Sequence, residues 1–158
     1  MLSELDNRKY TRNEINLNHF IYWLKVSEFI DENVECFDSR SAFPHQIYRI
    51  SLGKKNYIEL QRNLRVNVVA VYVNIQDKDK LIFDYLLDFK DEIEDIVGEN
   101  LLWDRRDSET LSKISLSYVI DISDIDNWMT AIEWQVKLAE SLYLAFKPLL
   151  DDYYDCNK

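Results

Sequence analysis

The sequence predicts a single α+β domain, with helices packed on a mostly antiparallel sheet of about five strands. Three observations carry this. Helix-like and strand-like patterns fall in separate runs, in the order helix, three strands, helix, two strands, helix. Residues 65–75 are rich in β-branched side chains and apolar on both faces, as expected of a central strand covered above and below. Only two glycines and two prolines occur among 158 residues, which leaves no flexible linker. Residues 1–158 therefore read as one body with loosely ordered ends, 1–12 and 151–158.

The first helix is expected over residues 13–33. Thr11 and Glu14 have capping-box spacing, in which each side chain satisfies a free N–H at the helix start. Leu17, Phe20, Ile21 and Leu24 recur at helical spacing as its buried stripe, widened by Trp23 and Phe29. Residues 35–46 hold Asp38, Ser39, Ser41 and Pro44 and read as a loop.

Two alternating runs follow. In residues 47–52, Tyr48, Ile50 and Leu52 share a face; in residues 56–62, Ile58 and Leu60 oppose Tyr57, Glu59 and Gln61. Gly53 supplies the positive φ of a hairpin, which sets Lys54 and Lys55 at its turn. A second short connection near Asn63 completes a three-stranded meander.

Asp77 and Asp79 precede a helix whose buried stripe is Ile82, Leu86, Phe89, Ile93 and Ile96, with Gly98 just past its end. Strands are expected at 101–105 and 113–120. Ser123 and Asp126 then open the longest helix, striped by Trp128, Ile132, Gln135, Ala139, Leu142 and Phe146. Trp134, Val136, Leu138, Tyr143 and Leu149 spread apolar character over more than half its circumference, and Pro148 is expected to kink or end it. So much apolar surface favours a homodimer or another protein partner, with Trp128, Trp134, Tyr143 and Phe146 as contact candidates; the alternative is that the two terminal helices pack against each other over the sheet and hide these residues within one chain.

Composition narrows the function. Cys36 and Cys156 have no partner spacing, which excludes a disulfide framework or zinc site and suits a reducing cytoplasm. Residues 1–12 lack the apolar core of a signal peptide, and no apolar run spans a membrane. The net charge of −10 opposes generic binding to a phosphate backbone. The middle is basic, however. Between Ser41 and Gln76 stand Arg49, Lys54, Lys55, Arg62 and Arg65 against Glu59 alone. With Arg105 and Arg106 these form the one candidate recognition surface, where Tyr48 and Tyr57 could stack on bases. The alternative is that the arginines pair with the acidic frame.

Catalytic and metal patterns are weak. Glu59-Leu60-Gln61 has the end of a PD-(D/E)XK metal site without its upstream aspartate strand; Glu59 is expected on a wet strand face. The Asp84, Asp88, Asp91, Asp95 stripe and the Asp121, Asp124, Asp126 cluster lack the tight glycine turn of a calcium loop and read as solvated face and cap. His19 and His45 have no ligand spacing. No cofactor, metal or catalytic residue is assigned, and the chain is not expected to be an enzyme.

The stretch from Phe20 to Leu150 resembles the bacterial and archaeal family called domain of unknown function 4268. The residues that carry this are Phe20, Tyr22 and Trp23; Val69 to Val73; Ile82-Phe83-Asp84 with Leu86-Leu87; Lys90 to Glu94; Leu101 to Arg105; Asp126-Asn127-Trp128; and Phe146-Lys147-Pro148. Members often sit C-terminal to a PD-(D/E)XK-type nuclease-like module, so the resemblance implies an accessory role beside a nuclease in restriction or defence. The chain carries no such module ahead of the match, and no catalytic residue transfers. Two readings follow: a protein-interaction domain, or a nucleic-acid-binding accessory that uses the basic hairpin.

Overall fold

A computed structural model describes residues 11–157. Expectations for the ends at residues 1–10 and Lys158 lie outside the described residues. Helix α1 spans Arg12–Asn33, followed by strands β1 (Ile47–Gly53), β2 (Asn56–Asn63) and β3 (Val68–Gln76). Then come α2 (Leu81–Leu87), α3 (Lys90–Val97), β4 (Leu102–Asp104), β5 (Leu111–Val119), a 3-10 turn (Ile125–Asn127) and α4 (Trp128–Cys156). One five-stranded sheet has the order β1-β2-β3-β5-β4, antiparallel throughout. The α+β architecture is as the sequence predicts.

The centre of the sheet is β3. Its Val69, Val71, Val73 and Ile75 are fully buried and share a face with Ile58, Leu60, Ile114 and Trp103. Every recorded side-chain contact between helix and sheet comes from this face: Trp103 meets Phe146 and Phe83, Tyr118 meets Trp134, and Arg62 meets Tyr22 and Trp128. The second face has polar rows instead. Arg49, Glu59, Tyr72 and Ser115 form one; Ser51, Tyr57, Asn74 and Lys113 form the next. Long side chains lie flat across it, with Lys113 Nζ 4.9 Å from the Tyr72 ring centre. The central strand thus has helices over one face and its own neighbours' side chains over the other.

The capping box of α1 forms as expected: Glu14 N–H donates to Thr11 Oγ1 at 3.1 Å, and Thr11 N–H to Glu14 Oε2 at 3.2 Å. Its buried face is not the expected one. Tyr22, Trp23, Val26 and Ile30 point inward, while Leu17, Ile21 and Leu24 are exposed, Leu17 by 56%. This helix is apolar nearly all round, so the core takes the face with the larger aromatic surface. That face also satisfies its polar atoms, because Trp23 Nε1 donates to His45 O at 2.6 Å and Tyr22 Oη to Gln135 Oε1 at 2.6 Å.

Three further expectations are corrected. The helix after β3 breaks at Asp88–Phe89 into two; the Phe89 ring lies 5.2 Å from that of Tyr85, and Ile93 is buried. Pro148 does not end α4, which runs through it to Cys156. Leu144, whose carbonyl loses its helical partner, is exposed, so water can take that bond. Residues 151–156 continue the helix rather than fraying. Tyr153 packs on Tyr85, and Tyr154 Oη accepts from Asn56 Nδ2 at 2.8 Å.

Candidate functional site

The seven basic candidates do not form one surface. Arg62 is 1% exposed on the helix side of β2, which corrects its assignment to a recognition surface. Arg49 Nε donates to Glu59 Oε1 at 2.8 Å, and its guanidinium lies 5.4 Å from the Tyr57 ring centre. Arg105 bridges Asp84 and Asp107; Arg106 reaches Asp104 at 3.3 Å and Glu109 at 3.1 Å. Arg105 and Arg106 are therefore occupied at the far side of the sheet from the hairpin. Lys54, Lys55 and Arg65 are exposed. Glu59, expected on a wet face, is 4% exposed, because Arg49, Gln61 and Tyr72 close over it and two of those groups donate to its carboxylate.

At the β1 edge the geometry is open. Arg62 N–H donates to Gln46 O at 3.0 Å, and bonded pairs alternate along an antiparallel ladder. Tyr48 and Ile50 therefore bond inward to β2, and the N–H and C=O of Ile47, Arg49 and Ser51 turn outward. Among the described residues no backbone group bonds them there. Two depressions flank this edge. One of about 440 Å³ is lined by Arg40, Phe43, His45, Ile47 and Arg49; one of about 260 Å³ is lined by Arg49, Lys55, Tyr57, Glu59 and Asn74. Arg49 belongs to both. Asn74 Oδ1 is buried in the second without a hydrogen-bond partner.

The hairpin at the end of β1 is strained. Gly53, Lys54 and Lys55 have φ of 89°, 53° and 64°, so two lysines hold the left-handed conformation that usually falls to asparagine or glycine. Each costs about 1 kcal/mol. Lys54 Nζ lies 6.0 Å from the Tyr154 ring centre on the helix side, while Lys55 lines the depression of Tyr57, Glu59 and Asn74.

The opposite edge is open for another reason. Only Leu102, Trp103 and Asp104 of β4 pair with β5, opposite Ser115, Ile114 and Lys113. Ile120 N–H donates to Asn67 O, so by the same alternation Ser117 and Val119 turn their backbone groups outward, beyond the end of β4. Beside them runs a groove of about 460 Å³, lined by Val97, Leu116, Trp134 and Leu138, with Glu99, Glu133 and Lys137 at its rim. Val119 is 77% exposed and Leu102 66%. Of the four contact candidates, Trp134 is at this groove. Tyr143 is half-buried against Phe37. Trp128 and Phe146 are buried within the chain, which removes them from any contact surface: Trp128 Nε1 donates to Ile122 O, and Phe146 packs on Trp103.

A buried polar cluster lies between α1, β2 and α4. Arg62 Nη1 is 3.1 Å from His19 Nδ1; since a guanidinium only donates, Nδ1 accepts and the imidazole proton is on Nε2. Arg62 is stacked 4.1 Å from the Tyr22 ring centre and 5.1 Å from that of Trp128. Among the described residues its Nε and Nη2 have no hydrogen-bond partner. Burial lowers its pKa to about 10, and burial, then Arg62, then His45, lower that of His19 to about 4. Gln135 closes the cluster by donating to Gln61 O and Ala70 O at 2.9 and 3.1 Å. The strand period could have placed Arg62 here, since it shares parity with Ile58 and Leu60.

The acidic sets serve local structure. Asp84 holds Arg105, which depresses its carboxyl pKa, and the helix break divides Asp84 and Asp88 from Asp91 and Asp95. Asp121 accepts from Ser123, and Asp124 caps the 3-10 turn by accepting from Asp126 N–H. Among the described residues no group of three or more His, Cys, Asp or Glu could hold a metal ion. No described helix is long and apolar enough to cross a membrane.

Fold and surfaces together define an α+β domain with helices on one side of an antiparallel sheet and both sheet edges open. The chain belongs to the family described as Domain of unknown function (DUF4268), whose model matches residues 19–150. No curated protein matches it. One solved structure, "Crystal Structure of the ExsC-ExsE Complex", is similar at 11% identity and a TM-score of 0.37, over 82% of this chain and 90% of that chain.

Proposed function

We propose that the protein is a non-catalytic interaction domain that pairs with a second copy of itself across the outer edge of β5. The observation that carries this is the unpaired backbone of Ser117 and Val119 beside the apolar groove of Leu116, Trp134 and Leu138. An antiparallel edge is self-complementary about a two-fold axis, and the rim offers both signs of charge in Glu99, Glu133 and Lys137. Exposed Leu102 and Val119 add apolar surface on the other face of the same edge. The non-catalytic reading is supported by the state of His19, whose acceptor nitrogen is already taken by Arg62. A pairing domain of this kind also suits the accessory role beside a nuclease that the family resemblance implies.

Light scattering at tens of micromolar is expected to give twice the 19.0 kDa chain mass. Val119→Glu should halve that mass and leave the melting temperature within the scatter of surface substitutions, about 0.5 kcal/mol. A wild-type mass of one chain would refute the pairing.

A further inference from the structure

We propose that the β1 edge is a second, separate docking site, which takes an extended acidic segment of a different protein as a sixth strand. The outward N–H and C=O groups of Ile47, Arg49 and Ser51 alternate as donors and acceptors at strand spacing, the pattern that a peptide backbone completes. The seven residues of β1 offer roughly 23 Å of edge at about 3.3 Å per residue.

Charge selects the occupant. Arg40, Arg49 and Lys55 line the two depressions along the edge, and Lys54 follows at the turn with its ammonium group toward Tyr154. Among the described residues the one acid that lines the depressions, Glu59, is buried and held by Arg49 and Gln61. The chain as a whole carries −10, so this is a local reversal of sign. A second copy of the chain is the wrong occupant, because joining β1 to β1 would set the same cations against each other. An acidic strand meets them with opposite charge. Its alternate side chains fall to the two faces of the sheet, and an apolar one fits the larger depression against Phe43 and Ile47. Arg49 lines both depressions and is itself half-exposed, so it can serve a ligand carboxylate beside Glu59. The left-handed conformation of Lys55 fits the same role, since the turn spends conformational energy where its side chain lines the smaller depression.

Fluorescence anisotropy tests this with a labelled heptapeptide that alternates glutamate with valine around a central phenylalanine. It is compared with glutamine and lysine versions, with a version N-methylated at alternate residues, and with an oligothymidylate. The acidic peptide is expected to bind about tenfold more tightly than the glutamine version near 50 mM salt, and to lose most of that advantage near 300 mM. N-methylation should abolish binding. Lys54→Glu with Lys55→Glu should cost the acidic peptide about tenfold and transfer the preference to the lysine version. That transfer also shows that the variant is folded. Equal binding of the acidic and glutamine peptides overturns the acidic specificity, and unimpaired binding after N-methylation overturns strand addition. Tighter binding of the oligothymidylate makes the edge a nucleic-acid site and overturns the proposal, as does no peptide binding at millimolar concentration.

Discussion

Val71→Asp is expected to yield no folded protein, while Tyr72→Asp, one residue along the same strand, should fold. Val71 is fully buried between Leu60 and Leu116 on the helix side of β3. An aspartate there loses roughly 2 kcal/mol of apolar burial and adds several more for a carboxylate without partners. That total of about 5 kcal/mol or more rivals the whole stability of a small domain. Tyr72 is half-buried on the polar face, with the Lys113 ammonium over its ring. An aspartate at that position loses an aromatic contact and stands opposite Glu59, a repulsion that the Lys113 ammonium offsets in part, at a cost of about 2 kcal/mol. Val69→Asp should fall between the two, because Arg62 stands directly opposite with two nitrogens unpartnered. Soluble yield and urea midpoints of the three variants check the order. Equal loss in Val71→Asp and Tyr72→Asp would mean that the second sheet face is covered as fully as the first.

The same contrast explains what the sequence could and could not disclose. Strand parity along β3 is local, so the buried row Val69, Val71, Val73 and Ile75 was readable, as were the capping box at Thr11 and the glycine turn at Gly53. Facing is not local when an element is apolar all round. Leu17, Ile21 and Leu24 have better helical spacing than Tyr22 and Trp23, but partners distant in sequence, Gln135 and His45, decide which face turns inward. Glu59 likewise reads as a wet residue until Arg49 is seen across the hairpin. For Arg62 strand parity, shared with Ile58 and Leu60, outweighs charge and turns the side chain inward. The helix break at Asp88–Phe89 has no proline or glycine to mark it. The open edges were legible only in part. That β1 begins the meander follows from sequence order, but its place at the sheet's rim and the shortness of β4 depend on pairing.

Stability is expected to fall by about 3 kcal/mol more in the wild type than in His19→Gln as pH drops from about 6.5 to about 4. His19 is buried, with a folded pKa of about 4 against 6.5 in the unfolded chain. Between those values the unfolded state binds a proton that the folded state refuses, so acid favours unfolding. Above about 6.5 both states are neutral at this site and the contribution is complete; below about 4 both are protonated and the loss levels off. The cause is visible in the cluster. Protonating Nδ1 removes the acceptor for Arg62 Nη1 and sets a second cation 3.1 Å from a guanidinium with two nitrogens already unpartnered, with His45 adding to the repulsion. Glutamine keeps an acceptor oxygen for Arg62 and has no proton to gain. Because the many aspartates and glutamates titrate in both proteins, the difference between their urea midpoints isolates His19. Parallel curves for the two would show that the imidazole is solvated or that Arg62 has left its place between Tyr22 and Trp128. Arg62→Met separates those outcomes. Removing an unpaired buried charge while filling the same space should leave stability at pH 7 unchanged or raise it by about 1–2 kcal/mol. It should also flatten part of the acid loss, since burial of the imidazole, the larger cause, remains. A fall of several kcal/mol in Arg62→Met would mean that the stacking on Tyr22 and Trp128 outweighs the cost of the buried charge.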